Sequence, residues 1–139
     1  MQIFHIKLAD ITGCSGASST TGTITLDTIN PGDFIDTSKI RIERITAVAH
    51  AATFVVEVGV TGDTDRLIDT IDAKAAGQQC LMQAVAADLL PYVNNSTSDT
   101  SLLLTMTCGS STISATTAGE FAVVVPILRK RDRWVDRNL

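Results

Sequence analysis

The chain has 139 residues, enough for one domain of ordinary size, and its 11 basic and 15 acidic side chains give a net charge of −4 at pH 7. This acidic balance argues against direct nucleic-acid binding, which needs a basic domain, and no apolar run reaches the roughly 18 residues of a membrane-spanning helix. A mean hydropathy of +0.23 with 19% charged residues leaves little polar surface for a monomer. We therefore expect a homo-oligomer, either a dimer or a trimer.

The first thirty residues predict two strands with a long loop between them. Residues 1–11 alternate and carry Lys7 and Asp10, which indicates a first strand rather than a signal peptide, and so a protein that stays in the cytoplasm where it is made. Residues 12–23 are rich in Ser, Thr and Gly and carry no charge, so we expect a loop that becomes ordered against a partner. Ile24 and Leu26 then alternate with polar residues and predict the second strand.

Two further strands are predicted before residue 73. Residues 40–50 change hydrophobic phase after Glu43 and Arg44, and two polar residues at a phase change indicate a β-bulge. In residues 54–60 every second side chain is apolar, the pattern of a half-buried antiparallel strand. The apolar set of that strand is Phe54, Val56, Val58 and Val60.

The second half of the chain contains one segment of ambiguous structure and two clear strands. Residues 73–90 are rich in Ala, Gln and Leu, which fits either a short helix or a loop followed by a strand near residues 80–86. Residues 102–108 alternate and predict another half-buried strand, and residues 109–119 form a second uncharged loop. Residues 121–128 are apolar on both faces and predict a strand covered on both sides, with Pro126 at an edge or bulge.

Short strands of this kind, separated by turns such as residues 30–33 and 61–63, predict an all-β fold. We expect an antiparallel β-sandwich or barrel with at most one short helix. The division that we expect is a single sandwich domain at residues 1–128, followed by a basic C-terminal interaction arm at residues 129–139.

No pattern of a catalytic or metal site is present in the sequence. Cys14, Cys80 and Cys108 form no C-x-x-C pair, and Cys108 shares its phase with the apolar residues of its strand, so we expect a small buried side chain. His5 and His50 lie in strand patterns and are expected to be structural.

A group of carboxylates at residues 63–72 lacks the ligand spacing of a calcium loop, and proximity in sequence does not provide the paired geometry of a glycosidase. We therefore expect no enzymatic activity, no cofactor and no metal.

The C-terminal arm differs from the rest of the chain in charge. Residues 129–139 carry five basic and two acidic side chains, a charge of +3, whereas residues 1–128 carry six basic and thirteen acidic ones, a charge of −7. Arg and Trp are enriched at the energetic centres of protein interfaces. We therefore expect the arm to bind a protein partner, although a solvated tail remains the alternative. The predicted partner-binding residues are Arg129, Lys130, Arg131, Arg133, Trp134 and Arg137.

Residues 53–72, TFVVEVGVTGDTDRLIDTID, resemble the small cement or decoration proteins of tailed bacteriophages. The similarity covers a strand, the turn with Asp63, Asp65 and Arg66, and the returning strand. It implies a jelly-roll-like sandwich that binds the outer face of the major capsid protein lattice and stabilises the shell of the virion. Two alternatives stay open: a tail- or fibre-associated phage structural protein, and a carbohydrate-binding β-sandwich module, which would use exposed aromatic side chains.

Overall fold

The computed structural model describes residues 1–74, 80–82 and 91–131. Eleven strands occur in these ranges, together with one α-helix, α1 (Leu8–Thr12), and two short 3-10 helices at Thr37–Lys39 and Ile113–Ala115. The strands are β1 (Gln2–Ile6), β2 (Thr21–Ile29), β3 (Phe34–Ile35), β4 (Arg41–Ala49), β5 (Phe54–Val60), β6 (Asp63–Asp72), β7 (Cys80–Met82), β8 (Tyr92–Val93), β9 (Thr100–Cys108), β10 (Ala118–Val125) and β11 (Ile127–Leu128).

The strands form two four-stranded antiparallel sheets and one small sheet. The first sheet has the order β1-β10-β4-β7, the second has β2-β9-β5-β6, and the small sheet has β11-β3-β8. Inward side chains of the first and second sheets belong to one hydrophobic cluster, in which Ile42 and Phe121 of the first sheet join Phe54 and Met106 of the second. This packing confirms the predicted all-β sandwich.

The predicted core faces of β5 and β9 are confirmed. All four apolar side chains predicted on β5 are buried, as are the alternating Leu102, Leu104, Met106 and Cys108 of β9. The prediction for residues 121–128 is correct only for the first five of them. Phe121 to Val125 are buried on both faces of β10, which lies in the interior of its sheet between β1 and β4. Pro126 ends β10, and Ile127 and Leu128 pair with another strand.

Two local predictions need correction. Residues 8–11 are helical rather than extended, because Asp10 accepts the backbone N–H of Lys7 at 2.8 Å and so completes the first turn of α1. The irregularity of β4 is confirmed, but β4 has two register shifts against β10, and the first along β4 comes one residue later than predicted. Arg44 pairs with Phe121 and Thr46 with Glu120, so that Ile45 is the extra residue, and its side chain points into solvent.

Residues 53–72 fold as predicted into a hairpin of β5 and β6. Val60 pairs with Asp63, and the two residues between them form the turn. Gly62 in this turn has φ +89°, a backbone conformation that favours glycine. Of the ambiguous residues 73–90, Cys80–Met82 form a strand against β4, as one of the two alternatives predicted. Residues 75–79 and 83–90 lie outside the described residues.

The two uncharged loops are joined to each other by backbone hydrogen bonds within the chain. Ile113 N–H donates to Ser19 O at 2.9 Å, and Ser114 N–H donates to Ala17 O at 2.8 Å. These bonds between residues 13–20 and 109–117 satisfy backbone N–H and C=O groups that would otherwise need water or another partner. The expectation that residues 12–23 become ordered only against a partner is therefore wrong.

Candidate functional site

The small sheet determines where the C-terminal arm leaves the sandwich. After Pro126, β11 pairs with β3, placing Ile127 opposite Ile35 and Leu128 opposite Phe34. Asp36 N–H donates to Pro126 O at 3.1 Å. This pairing carries the chain away from the first sheet and brings residue 129 beside the turn that precedes β3.

That turn, residues 30–33, presents a buried carboxylate. Asp33 N–H donates to Asn30 O at 3.0 Å and closes the turn. In return, Asn30 N–H donates to Asp33 Oδ2 at 2.9 Å. Only 2% of the surface of Asp33 is exposed, so its charge needs a partner inside the protein.

Arg129 supplies that partner and forms what we call the Arg129 clamp, composed of Arg129, Asp27, Thr28 and Asp33. Its Nη1 donates to Asp33 Oδ2 at 2.8 Å and to Thr28 O at 2.8 Å. Its Nη2 donates to Asp27 Oδ2 at 2.5 Å. The planar guanidinium thus bridges β2 and the turn, a geometry that a lysine ammonium cannot reproduce.

The electrostatics of the clamp stabilise the ionised forms. Burial by itself would raise the pKa of Asp33, but the Arg129 guanidinium and the N–H groups of Lys130 and Asn30 outweigh burial and hold that pKa below its usual value. Burial would likewise lower the pKa of Arg129, but Asp33 and Asp27 raise it. The clamp is therefore an ion pair at neutral pH, with 15% of the Arg129 side chain exposed.

Two further contacts fix the start of the arm. Lys130 N–H donates to Asp33 Oδ1 at 2.9 Å, so both carboxylate oxygens of Asp33 bind residues of the C-terminal segment. The Lys130 side chain lies along Gly32, where an added Cβ would come within 2.6 Å of Lys130 Cδ. Lys130 and Arg131 have helical backbone. Asp33 therefore binds the N–H of Lys130, the first helical residue of the C-terminal segment.

Asn94 holds the turn from the other side. Its side-chain amide donates to Ile29 O at 2.9 Å and to Ser98 O at 3.0 Å. Its backbone carbonyl accepts from Gly32 N–H at 2.7 Å, and its N–H donates to Asp33 O at 3.1 Å. The turn that receives Arg129 is thus tied to the loop after β8.

Next to the clamp lie two open cavities of different chemistry. One, of about 450 Å³, is mostly polar and includes Asp27, Asn30, Arg129 and Arg131 in its lining. The other, of about 270 Å³, is an apolar groove. Its lining consists of Met1, Phe34, Asp36, Pro126, Ile127 and Leu128. Polar and apolar surfaces therefore adjoin where the arm begins.

The predicted partner-binding residues have different surroundings. Arg129 is occupied within the chain by Asp27, Thr28 and Asp33. Lys130 and Arg131 are exposed and stay predicted partner contacts. The other three predicted residues, Arg133, Trp134 and Arg137, lie outside the described residues. The division at residue 128 stays a prediction, although the clamp attaches Arg129 to the sandwich.

The sequence interpretation missed Asp27, Asp33 and Asn94. The sequence pattern indicates Asp33 only as part of the turn at residues 30–33, and Asp27 only as one of the polar residues that alternate with Ile24 and Leu26. The available signal was the charge asymmetry, because a basic segment that follows an acidic body can pair with it inside one chain. Composition alone could not select which of the thirteen carboxylates of residues 1–128 are the partners.

The two histidines have structural surroundings. His50 Nδ1 accepts the N–H of Ala52 at 3.1 Å, so Nε2 carries the hydrogen and donates to Thr112 O at 3.0 Å. His5 Nε2 lies 2.7 Å from Glu120 Oε1 across the first sheet. Cys108 is buried as predicted. For Cys14, burial raises the pKa of the thiol and outweighs the hydrogen bonds from backbone groups, which lower it.

Within residues 1–74, 80–82 and 91–131, no three His, Cys, Asp or Glu side chains are grouped so that they could hold a metal ion. The helices in these same ranges include none that is long and apolar enough to cross a membrane. Comparison of the chain with protein-family models, curated proteins and solved structures gives no match.

Proposed function

We propose that this protein is a non-enzymatic structural protein of a virion, and specifically a capsid cement protein. In this proposal it binds the outer face of the major capsid protein lattice as a homo-oligomer and stabilises the shell. It is made in the host cytoplasm and resides on the capsid surface, with no direct contact to nucleic acid or membrane.

The observation that supports this proposal most is the strand order. When the three strands of the small sheet are left aside, the distribution of the remaining strands supports a jelly-roll-like arrangement, in which each four-stranded sheet contains strands from both halves of the chain. The orders β1-β10-β4-β7 and β2-β9-β5-β6 are compatible with that arrangement. Jelly rolls are a common architecture of viral shell proteins, although lectin domains also use them.

The C-terminal segment favours a shell protein over a lectin. The Arg129 clamp fixes the point at which the arm leaves the sandwich, and Lys130 and Arg131 are exposed there. An arm that starts from a fixed point reaches a neighbouring subunit at a high effective concentration, and the many copies on a lattice make weak single contacts sufficient. We propose that residues 130–139 are this docking arm, with Trp134 as its apolar anchor.

Two truncations test this function, because the clamp separates folding from docking. Removal of residues 132–139 leaves the clamp intact, so we expect a folded protein that no longer binds purified capsids. Removal of residues 129–139 also leaves Asp33 buried without its cation, so we expect a clear loss of stability. Co-sedimentation with capsids and urea unfolding followed by circular dichroism measure the two properties.

The full-length chain is expected to co-sediment with capsids and to raise the temperature at which they release DNA. Unchanged capsid binding after removal of residues 132–139 would show that the arm is not the docking element. Failure of the full-length chain to bind capsids, together with binding to tails or fibres, would replace the cement proposal with the tail-associated alternative. Micromolar binding to glycans alone would replace it with the carbohydrate-binding one.

A further inference from the structure

Within residues 1–74, 80–82 and 91–131, the two large sheets have four edge strands, and these differ in how they are protected against pairing with another strand. Edge strands with free backbone groups are commonly protected from pairing with another chain by bulges, charged side chains or short length. β6 has two register irregularities against β5 and five charged side chains. β2 has one irregularity, at residue 26, and β7 is three residues long.

β1 has none of these protections. Its five residues, Gln2 to Ile6, include no Asp, Glu, Lys, Arg or Pro, and they pair with β10 in unbroken register. In the described part of the chain, no strand pairs with the other side of β1. Residues Ile3 to Ile6 of β1 line an open cavity together with Ile24 to Leu26 of β2, and an incoming strand would reach the unpaired backbone groups of β1 through this opening.

The outer face of β1 carries one exposed apolar side chain, that of Ile3. Ile3 is 65% exposed, and its neighbour on β10, Val124, is fully buried. Cross-strand apolar pairs of this kind stabilise a sheet when the row is extended. His5, the other outward side chain of β1, is already paired with Glu120.

We propose that β1 pairs antiparallel with β1 of a second copy of this chain, so that the two first sheets join into one eight-stranded sheet. In this arrangement Ile3 lies opposite its counterpart and forms a continuous apolar row with Val124 of both copies. The proposal specifies the interface of the homo-oligomer in the proposed function and rests only on that part of it.

Charge favours β1 over β6 as the edge at which two copies of this chain meet. Both copies of an acidic chain repel each other wherever carboxylates meet, and pairing β6 with itself would bring four Asp side chains of each copy together. β1 itself carries no acidic side chain, and the carboxylates beside it are Asp10 in the adjoining cavity and Glu120 paired with His5, so contact there brings fewer carboxylates together than contact at β6. An antiparallel strand pair also has the two-fold symmetry of the commonest homodimers.

The test compares Ile3→Lys with Ile45→Lys in the full chain. Ile45 is a matched control, because it is 59% exposed and lies in a strand of the same sheet, but at a bulge of an interior strand. We expect sedimentation equilibrium to show a dimer for the parent chain and for Ile45→Lys. For Ile3→Lys we expect the dissociation constant to rise by about tenfold or more, because each dimer buries two ammonium groups at the proposed contact.

Hydrogen exchange provides a second readout that does not depend on a substitution. The amides of β1 become more protected as the concentration of the parent chain rises, whereas those of β6 do not change. A chain that stays monomeric, or equal weakening by the two substitutions, would overturn the proposal.

Capsid binding, measured separately, keeps the two proposals distinguishable. A β1-mediated dimer that does not bind capsids supports this inference and contradicts the cement function. Capsid binding by a monomer contradicts this inference alone.

Discussion

The Arg129 clamp and the free edge of β1 are two neighbouring regions that differ in whether their polar groups are bonded. The donors of the clamp bond within the chain, whereas the free edge of β1 pairs with no strand of the described residues. In the clamp, the guanidinium nitrogens Nη1 and Nη2 of Arg129 donate to oxygen atoms of the same chain. At β1, an apolar side chain and one side of a strand face solvent. The most strongly charged part of the sequence therefore begins with a contact inside the chain, and an uncharged strand offers the better surface for self-association.

The largest effect is expected from Arg129→Ala. The substitution leaves Asp33 buried without its cation, so we expect the free energy of unfolding to fall by about 3 kcal/mol. Arg129→Lys should recover part of the loss, because it restores the charge without the planar group whose two nitrogens bind Asp33 and Asp27. Urea unfolding followed by circular dichroism measures both changes.

Lys39→Ala is the control for this experiment. Lys39 pairs with Asp36 at 3.8 Å, and its side chain is 70% exposed, so its removal should have little effect on stability. If Arg129→Ala were no more destabilising than Lys39→Ala, Arg129 would contribute no more than a surface charge, and the distinction between the clamp and the β1 edge would fail.

The sequence predicted the sandwich well where side chains alternate. Period-two patterns in β5 and β9 identify their buried faces, because a strand with one covered face must place every second side chain in the core. The turn at Gly62 adds the hairpin, because a positive φ in a short loop favours glycine. These are local rules, and they hold in the structure.

The sequence did not predict the features that depend on distant partners. Arg129 and Asp33 are far apart in the chain and meet only because β11 pairs with β3. The helix at residues 8–12 was missed because one hydrogen bond, from Lys7 N–H to Asp10, outweighs a weak alternation. Likewise, the two uncharged loops gave no sign in the sequence that they bind each other.

Trp134→Ala and Lys130→Ala test whether the arm binds through an apolar anchor or through charge. We expect Trp134→Ala to weaken capsid binding by about 2 kcal/mol, because a desolvated indole is a common energetic centre of an interface. Lys130→Ala should weaken binding less, because an exposed charge at the rim of an interface contributes little. Isothermal titration with capsids measures the difference.

The stability of both variants is the control, since neither substitution removes a side chain of the Arg129 clamp. Unfolding curves that match the parent chain would show that the substitutions act on binding. Equal losses of affinity, or a greater loss for Lys130→Ala, would contradict an inserted indole and favour an arm that acts through charge alone.

The smallest effect, and the most specific to the clamp, is the dependence of stability on acid. The pKa of Asp33 is lower in the folded protein than in the unfolded chain, because its bonds to Arg129, Lys130 N–H and Asn30 N–H outweigh its burial. The ionised carboxylate therefore stabilises the fold above the unfolded pKa of about 3.9, and this stabilisation is lost as the pH falls through the lower folded value.

In Asp33→Asn this contribution is absent at every pH. The stability difference between the parent chain and the variant should therefore be largest near neutral pH and should shrink on acidification below about pH 4. Hydrogen bonds from Ser38 also lower the pKa of Asp36, but Asp36 is present in both chains, so the difference isolates Asp33. Asp65→Asn, at an exposed position, is the control for loss of charge alone. A difference that stays constant from neutral to acidic pH would mean that the Arg129 clamp does not depend on the ionisation of Asp33.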